Sequence, residues 1–263
     1  MENRTIVLKE DLKKGFEEVG LKKGDNVIAH ISLGSLGFVC GGAQIVIEAL
    51  LETLTDSGTL LMPTQSWKNS DPEAGVHWEE PKEWWQLIRD NWPAYDKDIT
   101  PTNTMGAVAE MFRKWPEAKR SDHPARSFTA RGANAEYLIK DHDLCDIFGE
   151  GSPIGKLYGL DGKVLLIGVG YDKNTSIHLA DVRAKYPEKR YAKESSAMMV
   201  YGSRQWVTYE TLVVDGEDFE QIGEAFEATA SVNKATIGNA VVTCMSQRDI
   251  VDFAVQWIEK NRK

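Results

Sequence analysis

The sequence predicts an α/β fold with a mostly parallel central sheet and an antiparallel C-terminal β portion. Three observations carry this. Residues 26–32, 59–63 and 164–167 are short continuous apolar runs, the pattern of strands buried on both faces. Residues 43–54, between the first two runs, space their apolar side chains as a helix does, which makes a βαβ unit with parallel strands. Residues 197–201 and 205–214, joined by a short turn at Gly202, read as an antiparallel hairpin. The whole chain, residues 1–263, is expected to form a single domain.

Residues 8–19 predict a first helix, with Leu8, Leu12, Phe16 and Val19 on one stripe and Gly20 as its stop. The strand at 26–32 is followed by a bend containing Gly34, Gly37, Gly41 and Gly42. Glycines there allow close backbone approach to a ligand, and the amides ahead of the helix suit an anion; a tight turn alone accounts for them equally well. The bend has neither the Gly-Lys-Ser/Thr of a Walker A loop nor a Gly-x-Gly-x-x-Gly fingerprint.

Residues 67–98 form an aromatic and acidic excursion, with Trp67, Trp78, Trp84, Trp85, Trp92 and Tyr95 and eight acidic side chains against four basic ones. Carboxylates and ring faces suit an amine-bearing ligand. The alternative is that Trp84, Trp85, Leu87 and Ile88 anchor a helix to the body. Residues 101–106 end the excursion and cap a helix through about residue 115. Residues 120–128 are dense in polar side chains suited to phosphate or amide groups, and His123 is held extended or in a turn by Pro124. A helix at 134–142, a loop at 148–153 and a helix from Ser152-Pro153 to Leu157 follow. After the hairpin come a helix at 218–226 and a strand at 238–245. Ser246-Gln-Arg-Asp249 then makes a capping box for a closing helix.

The stretch 164–184 reads as the reactive centre. Its strand ends at Gly168 and Gly170, Asn174 and Thr175 suit an N-cap, and His178 and Asp181 share one face of the helix that follows. Open α/β sheets place ligands where strand ends feed helices in this way.

A formal net charge of -9 argues against a nucleic-acid binder and suits a cationic ligand, although solubility alone explains it too. Cys40, Cys145 and Cys244 are too few and too scattered for a disulfide framework or a thiolate zinc site, and the five histidines form no metal constellation. No secretory leader or membrane-spanning run is legible, so a cytoplasmic, membrane-free protein is expected, a monomer or homodimer. A Gly-x-Ser-x-Gly elbow is missing, which disfavours a serine hydrolase. Cys40, ahead of the helix at 43–54, leaves a thiol acyltransferase or hydrolase as a rival.

Six motifs in order resemble the aminoglycoside 3-N-acetyltransferase family, from about Leu12 to Ile258. They are His30-Ile-Ser-Leu with its glycines, Met62-Pro-Thr-Gln-Ser66, Thr104-Met-Gly106, Arg120-Ser-x-His-Pro-x-x-Ser-Phe128, Phe148-Gly-x-x-Ser-Pro153 and Gly168-Val-x-x-Asp-x-x-Thr-Ser-x-His-x-x-Asp181. The resemblance implies a three-layer α/β/α fold, acetyl-CoA as donor without a metal, and an aminoglycoside amine as acceptor. Two positions depart from it: Ile31 stands where Ser is common, and Asp181 where Glu is usual. Asp is one methylene shorter, so a longer or water-bridged contact to its partner is expected.

The roles expected are then as follows. His178 takes the proton of the attacking amine, since imidazole titrates at about 6.5 when unperturbed. Asp181 or Asp172 orients it, and the hydroxyl of Thr175 or Ser176 stabilises the oxyanion. The turn formed by Ile31, Ser32, Leu33, Gly34, Ser35, Leu36 and Gly37 holds the CoA pyrophosphate or pantetheine through its amides. The resemblance adds Met105, Arg120 and Ser127 to that donor site. Thr64, Glu79, Glu80 and His123 are the acceptor-binding candidates, and His30 is expected to play a supporting part. A family member that binds CoA without turnover, or acts on another amine, is the remaining alternative.

Overall fold

The computed structural model describes residues 5–74, 78–230 and 232–262; residues 75–77 of the excursion and the start of the chain lie outside the described residues. β1 (Ile6–Val7) and α1 (Lys9–Glu18) precede β2 (Asn26–Ile31), and a 3-10 turn (Leu33–Leu36) leads to β3 (Phe38–Val39), α2 (Gly42–Leu54) and β4 (Thr59–Pro63). The excursion contains α3 (Trp85–Asn91) and is followed by α4 (Gly106–Phe112), β5 (Lys119–Arg120), β6 (Phe128–Gly132), α5 (Ala135–Ile139), α6 (Pro153–Gly159) and β7 (Lys163–Ile167). Two 3-10 turns (Tyr171–Lys173 and Thr175–Ile177) enter α7 (His178–Arg183). The chain continues through β8 (Tyr191–Val200), β9 (Ser203–Leu212), α8 (Phe219–Glu227), β10 (Asn233–Ile237), β11 (Ala240–Ser246) and α9 (Gln247–Asn261).

Seven strands form the main sheet in the order β10-β11-β7-β2-β4-β6-β5, and β8 and β9 pair apart from it. Side chains alternate across the sheet as the strand period requires. Val27, Ala29, Leu165 and Ile167 meet Leu12, Phe16, Val46, Leu50 and Phe112, from α1, α2 and α4, on one face. Ile28, Val164 and Leu166 meet Leu138, Leu157, Leu179, Ile222 and Ile250, from α5 to α9, on the other. The result is three layers with a core on each side of the sheet. Each core side chain taken from water contributes about 1.5–3 kcal/mol.

The sheet is mixed, with a parallel centre and antiparallel flanks. Parallel pairing is confined to β7, β2 and β4, while β11, β10, β6 and β5 pair antiparallel. The connections explain this. The chain leaves β4 at Pro63, lays β5 at the edge of the sheet and turns back into the gap, where Phe128 lies opposite Pro63 and β6 runs antiparallel to both neighbours. β10 and β11 are a hairpin turning at Gly238 and Asn239.

β5, β6 and β10 go beyond the sequence reading. Phe-Thr-Ala-Arg-Gly is short and mixes small and charged residues, so its strand state comes from the ladder to β4 rather than from propensity. β10 is an exposed, lysine-bearing edge. The hairpin starts at Tyr191 rather than 197, because its first half alternates exposed and half-buried positions without an apolar run. Tyr201 and Gly202, at φ 48° and 79°, give its two-residue turn the twist that hairpins favour. The helix expected at 134–142 is only five residues long, Ala135–Ile139, since Lys140 is extended and Asp141 adopts φ 50°.

Candidate active site

At the end of β7 the chain turns at Gly168, whose φ of 61° and whose approach to Ser35 leave no room for a side chain; a Cβ there would sit 2.5 Å from the Ser35 Cβ. The Ser35 hydroxyl donates to the Gly168 carbonyl at 3.0 Å and lies 2.7 Å from that of Ser32, so the bend after β2 is tied to the turn after β7. Asn174 caps the next turn, its side chain accepting from the Ser176 amide at 3.1 Å. This brings His178 to the start of α7.

His178 Nδ1 lies 2.8 Å from Asp181 Oδ2. The contact is direct, neither lengthened nor water-bridged as the shorter Asp suggested, because the helical i, i+3 geometry already brings the pair together. Asp181 is fully buried and its other oxygen accepts from Arg262 Nη1 at 2.5 Å. Phe148 stacks on the imidazole at 4.7 Å and 9°, and Phe219 closes on it at 4.7 Å and 58°. An ionised carboxylate only accepts, so Nδ1 carries the hydrogen and Nε2 presents a lone pair.

His178 lines a cavity of about 440 Å³ at the end of the sheet where β2, β4 and β7 finish. Of the residues expected to act there, Ile31, Ser32, Met105, Asp172, Thr175 and His178 line it. Asp172 lies away from the imidazole's Nδ1 and is paired with its neighbour, the Lys173 ammonium, at 2.6 Å.

Other expected site residues stand elsewhere, each for a physical reason. Ser176 is fully buried, and its hydroxyl accepts from Gln247 Nε2 at 3.1 Å. Leu36 is a core side chain, and Leu33, Gly34, Ser35 and Gly37 do not wall the cavity. Gly37, at φ 96°, makes room for the Thr5 carbonyl, 2.9 Å from where a Cβ would be. Arg120 is buried and spends all its donors inside the protein, on the carbonyls of Thr64, Lys97 and Thr100 and the hydroxyls of Ser66 and Ser127. Ser127, fully buried, donates to the Thr64 carbonyl at 2.9 Å. These residues fasten the excursion to the sheet rather than face the cavity.

The acceptor candidates fare likewise. The Thr64 hydroxyl is turned to Thr129 of β6 at 2.9 Å. His123 is fully buried and its Nδ1 accepts from the amides of Ala125 and Arg126; burial, with His142 and Arg126 nearby, pushes its pKa well down. Glu80 is bound to Lys68 at 3.0 Å and to the Glu79 amide, and neither glutamate lines the cavity. Cys40 is exposed and stands outside the cavity walls.

Several cavity residues were not anticipated. Gln65 lies just beyond β4, and the rule that ligands gather beyond strand ends would have found it, whereas Trp67 is one of the excursion's rings for which a ligand wall was expected. Thr104 lines the wall at φ 61°, a left-handed backbone unusual for a β-branched residue. His30 takes a place in the wall rather than behind it. The residue is buried, its Nε2 lacks a hydrogen-bond partner among the described residues, and burial holds its pKa down at about 3. Arg262 and Phe219, reached only through tertiary packing, left no local trace in sequence.

Comparison with known proteins agrees with this layout. Residues 28–259 match the family model described as aminoglycoside 3-N-acetyltransferase. The SPbeta prophage-derived aminoglycoside N(3')-acetyltransferase-like protein YokD of Bacillus subtilis is 40% identical over 96% of this chain and 93% of its own. Its crystal structure superposes with a TM-score of 0.93 over 99% of this chain and 95% of that one, at 39% identity. Aminoglycoside N(3)-acetyltransferase VII of Streptomyces paromomycinus is 34% identical over 95% of this chain and 90% of its own. Among solved structures, sisomicin-bound AAC-VIa has a TM-score of 0.89 at 29% identity, over 98% of this chain and 100% of that one. AAC-IIIb binary with CoASH has 0.87 at 27%, over 98% of each chain. With a family model spanning residues 28–259 and relatives above 30% identity along almost its whole length, the chain belongs to the aminoglycoside 3-N-acetyltransferase family.

Proposed function

We propose that the chain transfers the acetyl group of acetyl-CoA directly to an amino group, the 3-amino group of a 2-deoxystreptamine aminoglycoside, with His178 as general base. The observation that carries this is the Nδ1 contact of His178 with buried Asp181, in a ring whose Nε2 remains for a substrate in the cavity. The amine nitrogen attacks the thioester carbon as its proton passes to Nε2. The carbon–sulfur bond then breaks, and the imidazolium returns the proton to the departing sulfur, giving the amide and free CoA thiol. Asp181 holds the ring and stabilises its charged form; a positioned base of this kind contributes about 10²–10⁴-fold. The Thr175 hydroxyl is the cavity donor assigned to the developing oxyanion, a role whose loss costs about 3 kcal/mol. Ile31, Ser32 and Met105 are assigned to the donor side, and the CoASH complex of AAC-IIIb supports that ligand class.

A second reading of the acceptor is favoured by the cavity's charge. Among the described residues Asp172 is the single carboxylate of its walls and Lys173 stands beside it, a setting that fits an amine of lower charge than a multiply cationic antibiotic. Thiol release from acetyl-CoA, measured over aminoglycosides and simpler amines, separates the two. His178→Ala is expected to lower turnover by about 10²–10⁴-fold. Near-normal turnover in that variant overturns the base assignment.

A further inference from the structure

We infer that Arg262, just beyond α9, is a positioning residue for His178, acting through Asp181. The inference rests on the reading of His178 as base. The Asp181 carboxylate divides its two oxygens between His178 Nδ1 at 2.8 Å and Arg262 Nη1 at 2.5 Å. Arg262 is in turn gripped by Asp218, just ahead of α8, through Nε and Nη2 at 2.7 Å each, and lies over the Tyr186 ring with its Cζ 5.2 Å from the centroid. His178, Asp181, Arg262 and Asp218 thus form one alternating line that joins α7, α8 and α9.

Two physical consequences follow. A fully buried carboxylate is costly unless its charge is paired and both oxygens are hydrogen-bonded, and His178 alone serves one oxygen. Arg262 serves the second, so the carboxylate stays in place while the imidazole is neutral between proton transfers. A planar carboxylate held at both oxygens also has one orientation, which fixes the direction of the Nδ1 hydrogen bond and therefore the aim of Nε2 into the cavity. Asp218 matters because its paired charge keeps Arg262 from drawing Asp181 away from the imidazole.

The test uses the full-length protein with Arg262→Gln, Arg262→Lys and Asp218→Asn, read by ¹⁵N NMR of the imidazoles and by thiol release. Wild type is expected to show His178 in the Nδ1–H form, and Arg262→Gln to show a mixture of tautomers. Turnover in Arg262→Gln is expected to fall about tenfold or more, inside the range a positioned base supplies, with the KM for acetyl-CoA changed less than about twofold. Arg262→Lys restores part of both signals. A folded Arg262→Gln with the wild-type tautomer and turnover overturns the inference. If Arg262→Gln does not fold, Asp218→Asn decides: an unchanged His178 tautomer there overturns the inference, and a mixture supports it. If no amine releases thiol in wild type, the acetyl-transfer reading fails, and the tautomer result alone upholds or overturns the positioning role.

Discussion

The imidazole of His178 lies parallel to the ring of Phe148, 4.7 Å between centroids and 9° between planes. Phe148 is buried and comes from the loop ahead of α6, so a residue far from α7 sets the plane of the ring that α7 carries. Phe148→Leu keeps the volume nearly constant and removes the flat face. It is expected to cost about 1 kcal/mol in urea unfolding, as a volume-conserving core change does. Turnover is expected to fall more than that stability loss would suggest; unchanged turnover would show the stack to be packing alone.

Arg120 separates two explanations by measurement. Its hydrogen bonds all end within the protein, and burial lowers its pKa. Arg120→Met is expected to destabilise the fold by about 3 kcal/mol or more, since it strands buried carbonyls and hydroxyls that cost about 1–3 kcal/mol each when unsatisfied. Affinity for acetyl-CoA in the folded fraction, followed by calorimetry, should remain near wild type. A large loss of CoA affinity at unchanged stability would return Arg120 to the donor site.

His30 makes a prediction about pH. Its folded pKa is pushed down to about 3 by burial, whereas an unfolded histidine titrates at about 6.5. The unfolded state therefore binds the proton first. The stability that neutral His30 confers is present in full above about pH 6.5 and is lost as pH falls toward 3. His142, held at about 4 chiefly by burial, acts in the same direction. Urea midpoints at pH 7 and pH 5 should lie closer together in His30→Gln than in wild type. Equal spacing would contradict the assignment.

Asp172 and Glu80 are both ion-paired carboxylates, bound to Lys173 and Lys68, but Asp172 stands in the cavity wall and Glu80 does not. Asp172→Asn is expected to raise the KM for a cationic acceptor several-fold, and Glu80→Gln to leave it within about twofold, because Glu80 stands outside the cavity walls. Steady-state thiol release with one acceptor and both variants checks this.

The buried strands β2, β4 and β7 were legible because their side chains must be apolar on both faces, and the spacing of His178 and Asp181 was legible because a helix brings i and i+3 together. What lay hidden is what long-range packing creates. Arg262 stands 81 positions from Asp181, and Phe148 reaches the imidazole from the loop ahead of α6 and Phe219 from the first residue of α8. Arg120 carries the charge and spacing of a phosphate ligand, yet its surroundings supply enough carbonyls and hydroxyls to occupy it completely. Ser176 misled for a related reason: its position beside Thr175 suggested a shared role, but adjacent residues of a tight helical turn face different ways, and Gln247 holds it inside.

The segment between Pro63 and Phe128 begins and ends at neighbouring points of the sheet. Its neck is stitched by the Asn103 amide to the Gln65 carbonyl at 2.9 Å and by the Ser66 hydroxyl to the Pro101 carbonyl at 2.7 Å. These bonds close the stretch 67–100 at its base, and lengthening a stretch so closed carries a small closure cost, about 0.6 kcal/mol for each doubling. Gln65 and Trp67 descend from this neck, while His178 comes from the far side of β2. Lengthening or exchanging the stretch 67–100 is expected to reshape the wall formed by Gln65 and Trp67 while leaving the His178 wall in place. On the proposed reading, the wall that carries Gln65 and Trp67 and the wall that carries His178 hang from different strand ends, so that a change in one need not disturb the other.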